Sequence, residues 1–126
     1  MLRREDHLRL RHMLDAAREA QGFVADRTRA DLSTDRQLTM SVVGCLLIVG
    51  EAASQVSPEC RAEMPALEWR KIVGMRNRLI HGYFDWNLSI IWKTVREDLP
   101  LLVAEVEAAL SEATTEDGEG QPAAEG

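Results

Sequence analysis

Leu38, Val42, Cys45, Leu46, Val49, Ala52, Ala53 and Val56 fall at three- and four-residue steps, a spacing that only a helix turns into one apolar face. Nowhere does the chain show the sustained apolar–polar alternation of a half-buried strand. The helical period appears first between Arg4 and Val24, where Leu10, Met13, Leu14, Ala17 and Val24 carry it between charged residues. A polar bridge follows, with Ser33 or Asp35 placed to cap the second helix, and Ser57-Pro58 ends that helix because proline disfavours helical geometry in the residue before it. The third helix is expected from Pro65, a residue suited to a first helical position, to Gly82, a natural stop. Asp85 or Asn87 then caps a fourth helix bearing Leu88, Ile91, Trp92 and Val95. Asp98-Leu99-Pro100 restarts the chain into a fifth, with Leu101, Leu102, Val106 and Leu110 as its apolar face. The pattern predicts an all-α bundle of four main helices with a short or broken fifth.

A chain of 126 residues has room for one hydrophobic core. The helical domain is expected to span residues 1–113. Residues 114–126, rich in Gly, Glu and Ala and without an apolar period, read as a disordered acidic tail. The longest apolar stretch, Val42 to Val49, is interrupted by Gly44 and followed by Glu51, so it reads as too short for a membrane span, and the protein reads as soluble and cytoplasmic. Cys45 and Cys60 lack the spacing and companion histidines of a zinc site and read as free thiols. His7 and His12 have no nearby cysteine or carboxylate cage and read as solvated rim residues, so neither a metal nor another cofactor is expected. Trp69, Trp86 and Trp92 are spaced as packing anchors. The net charge of −6 argues against a protein coated in positive potential for indiscriminate nucleic-acid binding. Even so, Trp69 to Phe84 holds Arg70, Lys71, Arg76 and Arg78 with no carboxylate, a cationic patch on an acidic body.

Within that patch lies MRNRLIHGYF, Met75 to Phe84. Arginine offers a permanent charge and a forked donor that matches phosphate oxygens. Histidine, with an unperturbed pKa of about 6.5, gives or takes a proton at neutral pH. Together they suffice for phosphodiester chemistry. At about 3.6 residues per turn, Arg76 and His81 point roughly 140° apart, whereas Asn77 and His81 share a face. Arginine's reach, a loosened helix at Gly82 or a second copy of the motif across a symmetric dimer could each bring them together. Tyr83, the chain's single tyrosine, shares a side with Arg76 if helical geometry persists. A purely structural alternative exists, because cations near a helix C-terminus are stabilised by the macrodipole. Glu51, in an otherwise apolar helix, wants a partner, and Arg76 or Arg78 would serve.

Gly50-Glu51-Ala52-Ala53, Trp69-Arg70, the run Met75 to Phe84, Ile91-Trp92 and Asp98-Leu99-Pro100 together resemble the HepT-like toxins of the HEPN superfamily, over about Asp31 to Val106. That family's pattern of Arg, four residues, His, one residue, Tyr is matched by Arg76, His81 and Tyr83, with the polar Asn77 just after the arginine. The resemblance implies a HEPN-type homodimer whose two motifs meet in a cleft and cleave RNA without metal. Arg76 and His81 would be catalytic, with Asn77 and Arg78 in support. It further implies the toxin of a two-gene, type VII-like toxin–antitoxin module. Its antitoxin would be a minimal nucleotidyltransferase that adds AMP to Tyr83 and could join a larger hetero-oligomer. The competing reading is a non-catalytic helical dimer that only holds RNA or a nucleotide, or that acts only as partner to a nucleotidyltransferase.

Overall fold

A computed structural model describes the backbone of residues 2–120 and the side chains of residues 2–113. The helices in chain order are α1 (Arg4–Phe23), α2 (Arg29–Thr34), α3 (Arg36–Ser54), α4 (Pro58–Ala62), α5 (Trp69–His81), α6 (Leu88–Lys93) and α7 (Leu99–Gly120). A π-helical turn, Thr94–Asp98, joins α6 to α7 without a break. There is no strand among the described residues. Four main helices make the bundle, as the periodicity predicts: α1 packs along α3, α3 against α5, and α1 against α7. Leu10, Met13, Val42, Leu46, Val49 and Val106 meet at its centre and are wholly buried.

Local chemistry fixes the element ends. Asp35 caps α3 by accepting from the Leu38 N–H at 3.1 Å, and Asn87 caps α6 by accepting from the Ile90 N–H at 3.1 Å. The buried Asp6 of α1 accepts from both the backbone N–H (2.8 Å) and the hydroxyl (2.6 Å) of Ser57, whose oxygen in turn caps α4. The start of the chain is thereby tied to the α3–α4 corner. Arg61 closes the other side of that corner, donating to Val56 O (3.2 Å) and Ala53 O (3.0 Å) at the end of α3 while lying over the Trp69 ring.

Three expectations are corrected. The third long helix, α5, begins at Trp69 rather than Pro65, because Met64 to Leu67 turns back on itself and the Trp69 indole donates to Met64 O at 3.1 Å. The expected break at Asp98-Leu99-Pro100 is a widened turn. Pro100 cannot donate to the carbonyl one turn back and its ring would crowd it, so the helix takes up extra backbone there, with the Leu99 N–H reaching Thr94 O. The boundary expected after residue 113 falls inside α7, whose backbone is helical to Gly120; residues 121–126 of the expected tail lie outside the described residues. Finally, α3 does have the length and apolarity of a membrane-spanning helix, but more than half of that stretch is buried inside the bundle, where it is the central core helix.

Both cysteines are buried and unpaired. Burial, with Glu19 adding its charge near Cys45 and Asp6 near Cys60, pushes both thiols from 9.0 up to about 11. A folded pKa above the unfolded one gives stability that is complete below 9.0 and lost as pH rises toward 11. The expected outcome is no reaction of either thiol with a thiol-specific dye at pH 8 until denaturant is added. A urea midpoint followed across pH 9 to 11 should fall less in the Cys45→Ala, Cys60→Ala double variant.

Candidate active site

The site begins with a glycine. An alanine Cβ at Gly50 would lie 2.5 Å from Arg76 Cβ and 3.3 Å from the Ile72 carbonyl oxygen, so α3 and α5 cross there at backbone contact. The next residue, Glu51, is carried round to the open flank of α3, where its carboxylate meets the Arg76 guanidinium, with Nε 2.8 Å from Oε1. Glu51 is exposed rather than buried as its apolar surroundings suggest, because Gly50 takes the position facing α5. Its expected pairing with Arg76 is present.

Arg76 makes a second bond, from Nη1 to Asn77 Oδ1 at 3.0 Å. Asn77 and His81 are one helical turn apart on an exposed face of α5. The side-chain bond therefore ties the guanidinium, paired on the α3 side with Glu51, to the residue that shares a face with His81. With Nε on Glu51 and Nη1 on Asn77, Nη2 has no hydrogen-bond partner among the described residues. A half-buried arginine held by two neighbours and keeping a free donor has the chemistry to meet an anion such as a phosphate oxygen.

Arg78 is not brought to Arg76. Two residues along the helix, it faces away into a groove of about 570 Å³ between α5 and the α6–π–α7 rod, whose walls include Ile72, Met75, Thr94 and Leu102. The cationic patch read from the sequence is thus divided between two sides of α5. His81 is the last residue of that helix, and the Gly82 N–H closes it on Arg78 O at 2.9 Å.

Helical geometry does not persist to Tyr83. The Asp85 N–H bonds Gly82 O at 2.9 Å and the Trp86 indole donates to Leu79 O at 3.0 Å, folding the connector back on α5. Tyr83 and Phe84 consequently stand out from the corner, 67% and 79% exposed, in an edge-to-face pair. Trp69 is buried, and Trp86 and Trp92 pack half-buried against the core as anchors. Reading the sequence missed the roles of Gly50 as a crossing point and of Phe84 as Tyr83's partner. The small residue beside an isolated glutamate in α3 was the available signal for the first. Among the described residues no three His, Cys, Asp or Glu side chains gather as a metal-binding group.

The family model described as Ribonuclease HepT-like matches residues 13–109. A relative from Methanocaldococcus jannaschii, named as a candidate RNase, is 32% identical over 107 residues, covering 85% of this chain and 98% of its own. A Thermococcus cleftensis protein named as a probable ribonuclease HepT is 31% identical over 98 residues, covering 78% of this chain and 89% of its own. One from Caldanaerobacter subterraneus, again named as a candidate RNase, is 36% identical over 92 residues, 70% of this chain and 82% of its own. No solved structure matches the chain.

The close crossing is directly testable. Gly50→Ala should force α5 away from α3 and lower stability in urea unfolding by about 1–3 kcal/mol, the usual cost of overpacking. Gly44→Ala on the same helix meets nothing within 4 Å and should be neutral or mildly stabilising.

Proposed function

The chain belongs to the HepT-like ribonuclease family, and from that premise we propose that it is a metal-independent endoribonuclease acting as the toxin of a two-gene module. The observation that carries this reading is the bracing of Arg76 by Glu51 and Asn77 on the helix that ends in the exposed His81. In the proposed step a base removes the proton from a ribose 2′-hydroxyl, the oxygen attacks the adjacent phosphorus, and the 5′-oxygen leaves with a proton from an acid. The products are a 2′,3′-cyclic phosphate and a 5′-hydroxyl. Arg76 would hold the nonbridging oxygens as charge builds on them, and His81 would carry one proton.

One chain has one motif histidine, and two proton carriers are needed. A homodimer that apposes two motifs would supply the second. The exposed Tyr83 and Phe84, paired edge to face just after His81 in the chain, support such an interface, since large apolar side chains together at a surface favour a partner. Tyr83, open to solvent, is also a ready acceptor for AMP from a nucleotidyltransferase antitoxin. Its phenolic oxygen would attack the α-phosphate of a nucleoside triphosphate and expel pyrophosphate. The added phosphodiester would bring negative charge and bulk to the arginine that substrate phosphate needs.

His81→Ala should lower the rate of RNA cleavage about 10²- to 10⁴-fold, as for a lost acid or base, with RNA affinity little changed. Wild-type cleavage should survive a chelator and spare DNA, which lacks the 2′-hydroxyl. Full activity in His81→Ala would reject the catalytic assignment in favour of a binding module. Coexpression with a cognate nucleotidyltransferase should add mass at Tyr83 in peptide mass spectrometry and relieve growth arrest; Tyr83→Phe should fold and escape both effects.

A further inference from the structure

Three other half-buried arginines are held by protein partners: Arg27 by Asp31 and Asp35, Arg61 by backbone carbonyls, and Arg76 by Glu51 and Asn77. Arg9 of α1 is also half-buried, and has no carboxylate or hydrogen-bond partner among the described residues. It lines a depression of about 340 Å³ at the junction of α1, α3 and α5, together with His12, one turn further along α1, and Arg76. The one carboxylate at this depression, Glu51, is already engaged by Arg76. The floor is apolar and includes Ile48 and Ile80, both exposed to solvent.

Partly withdrawing a guanidinium from water without a protein partner is costly, and an anion from outside would offset that cost. Cationic walls over an apolar floor suit a phosphate with a base or sugar beside it. We propose that this depression is the subsite for the nucleotide adjoining the scissile linkage, its phosphate gripped by Arg9 and His12. The proposal rests on the ribonuclease reading and extends it. Arg76 has its place at the boundary: its side chain lines the depression while its Nη1 bonds Asn77, the residue one turn before His81. Substrate RNA then runs from the His81 face over Arg76 and onto α1, and the histidines of α1, which no other feature of the fold employs, gain a use at His12.

Length of substrate separates this subsite from the reacting centre. A dinucleoside monophosphate carries only the scissile phosphate, whereas a hexanucleotide fills both positions. Arg9→Gln and His12→Gln should lower kcat/KM for the hexanucleotide about tenfold, the size of one lost charge-assisted contact, and leave dinucleoside monophosphate cleavage unchanged. Binding of a non-cleavable 2′-O-methyl hexanucleotide, followed by fluorescence anisotropy, should weaken likewise in Arg9→Gln, with a salt dependence shallower by about one ion. Equal losses on both substrates, or none on the hexanucleotide, would overturn the subsite. A change in mass by sedimentation equilibrium in either variant would instead make this face a contact between two copies of the chain and overturn it equally. If the wild-type protein cleaves neither substrate, the nuclease reading fails on its own; the anisotropy measurement still decides the subsite, since unchanged binding in Arg9→Gln rejects it.

Discussion

Everything at the motif depends on how closely α3 and α5 approach at Gly50. A helix pair separated by ordinary side chains would leave Glu51 and Arg76 to meet, if at all, through solvated and mobile reach. With Arg76 Cβ 2.5 Å from where a Cβ on Gly50 would lie, the carboxylate and guanidinium are neighbours by construction. The pair is partly open to water, so its contribution to stability is small. Its value is orientational, because an arginine whose Nε is fixed has few ways to present its remaining donors.

That fixed arginine bears on the spacing of the motif. Residues five apart on a straight α-helix point away from each other, and α5 remains helical through His81. Asn77, adjacent to Arg76 in sequence and one turn before His81, is the only link between the two among the described residues: a hydrogen bond of 3.0 Å ties the guanidinium to the residue that shares a face with His81. The position of Arg78 shows the same rule without a mediator. Two residues from Arg76, it lines the groove on the other side of the helix.

Much of this was legible in the sequence. The apolar period located α1 and α3 closely, and Asp35 and Asn87 act as the caps their residue type suggests. The stop at Gly82 and the partnership of Glu51 with Arg76 were also readable. What escaped notice was settled by contacts distant in the chain. Pro65 carries a valid local helix signal, but the Trp69 indole and the Arg61 guanidinium hold that corner in turns. Asp6 looks like any first-turn acid until Ser57, fifty-one residues on, arrives above it. The placement of Arg9 and His12 beside Arg76 likewise follows from helix packing, which no spacing within α1 could reveal.

The π-helical turn at Thr94–Asp98 has a consequence for how the gene can vary. One surplus residue in a helix rotates everything downstream by about 100° relative to everything upstream. Here α6 turns one side to α2, where Arg29 donates to Ser89 at 3.0 Å, and α7 turns another to α1, where Leu102, Val106 and Leu110 are buried. A uniform α-helix of this length could not serve both neighbours. Loss of a single codon between Thr94 and Asp98 would yield a more regular helix and a worse protein, because the entire apolar seam of α7 would be dialled out of phase with the core. Apart from the buried Val95, the turn tolerates substitution better than a change of length.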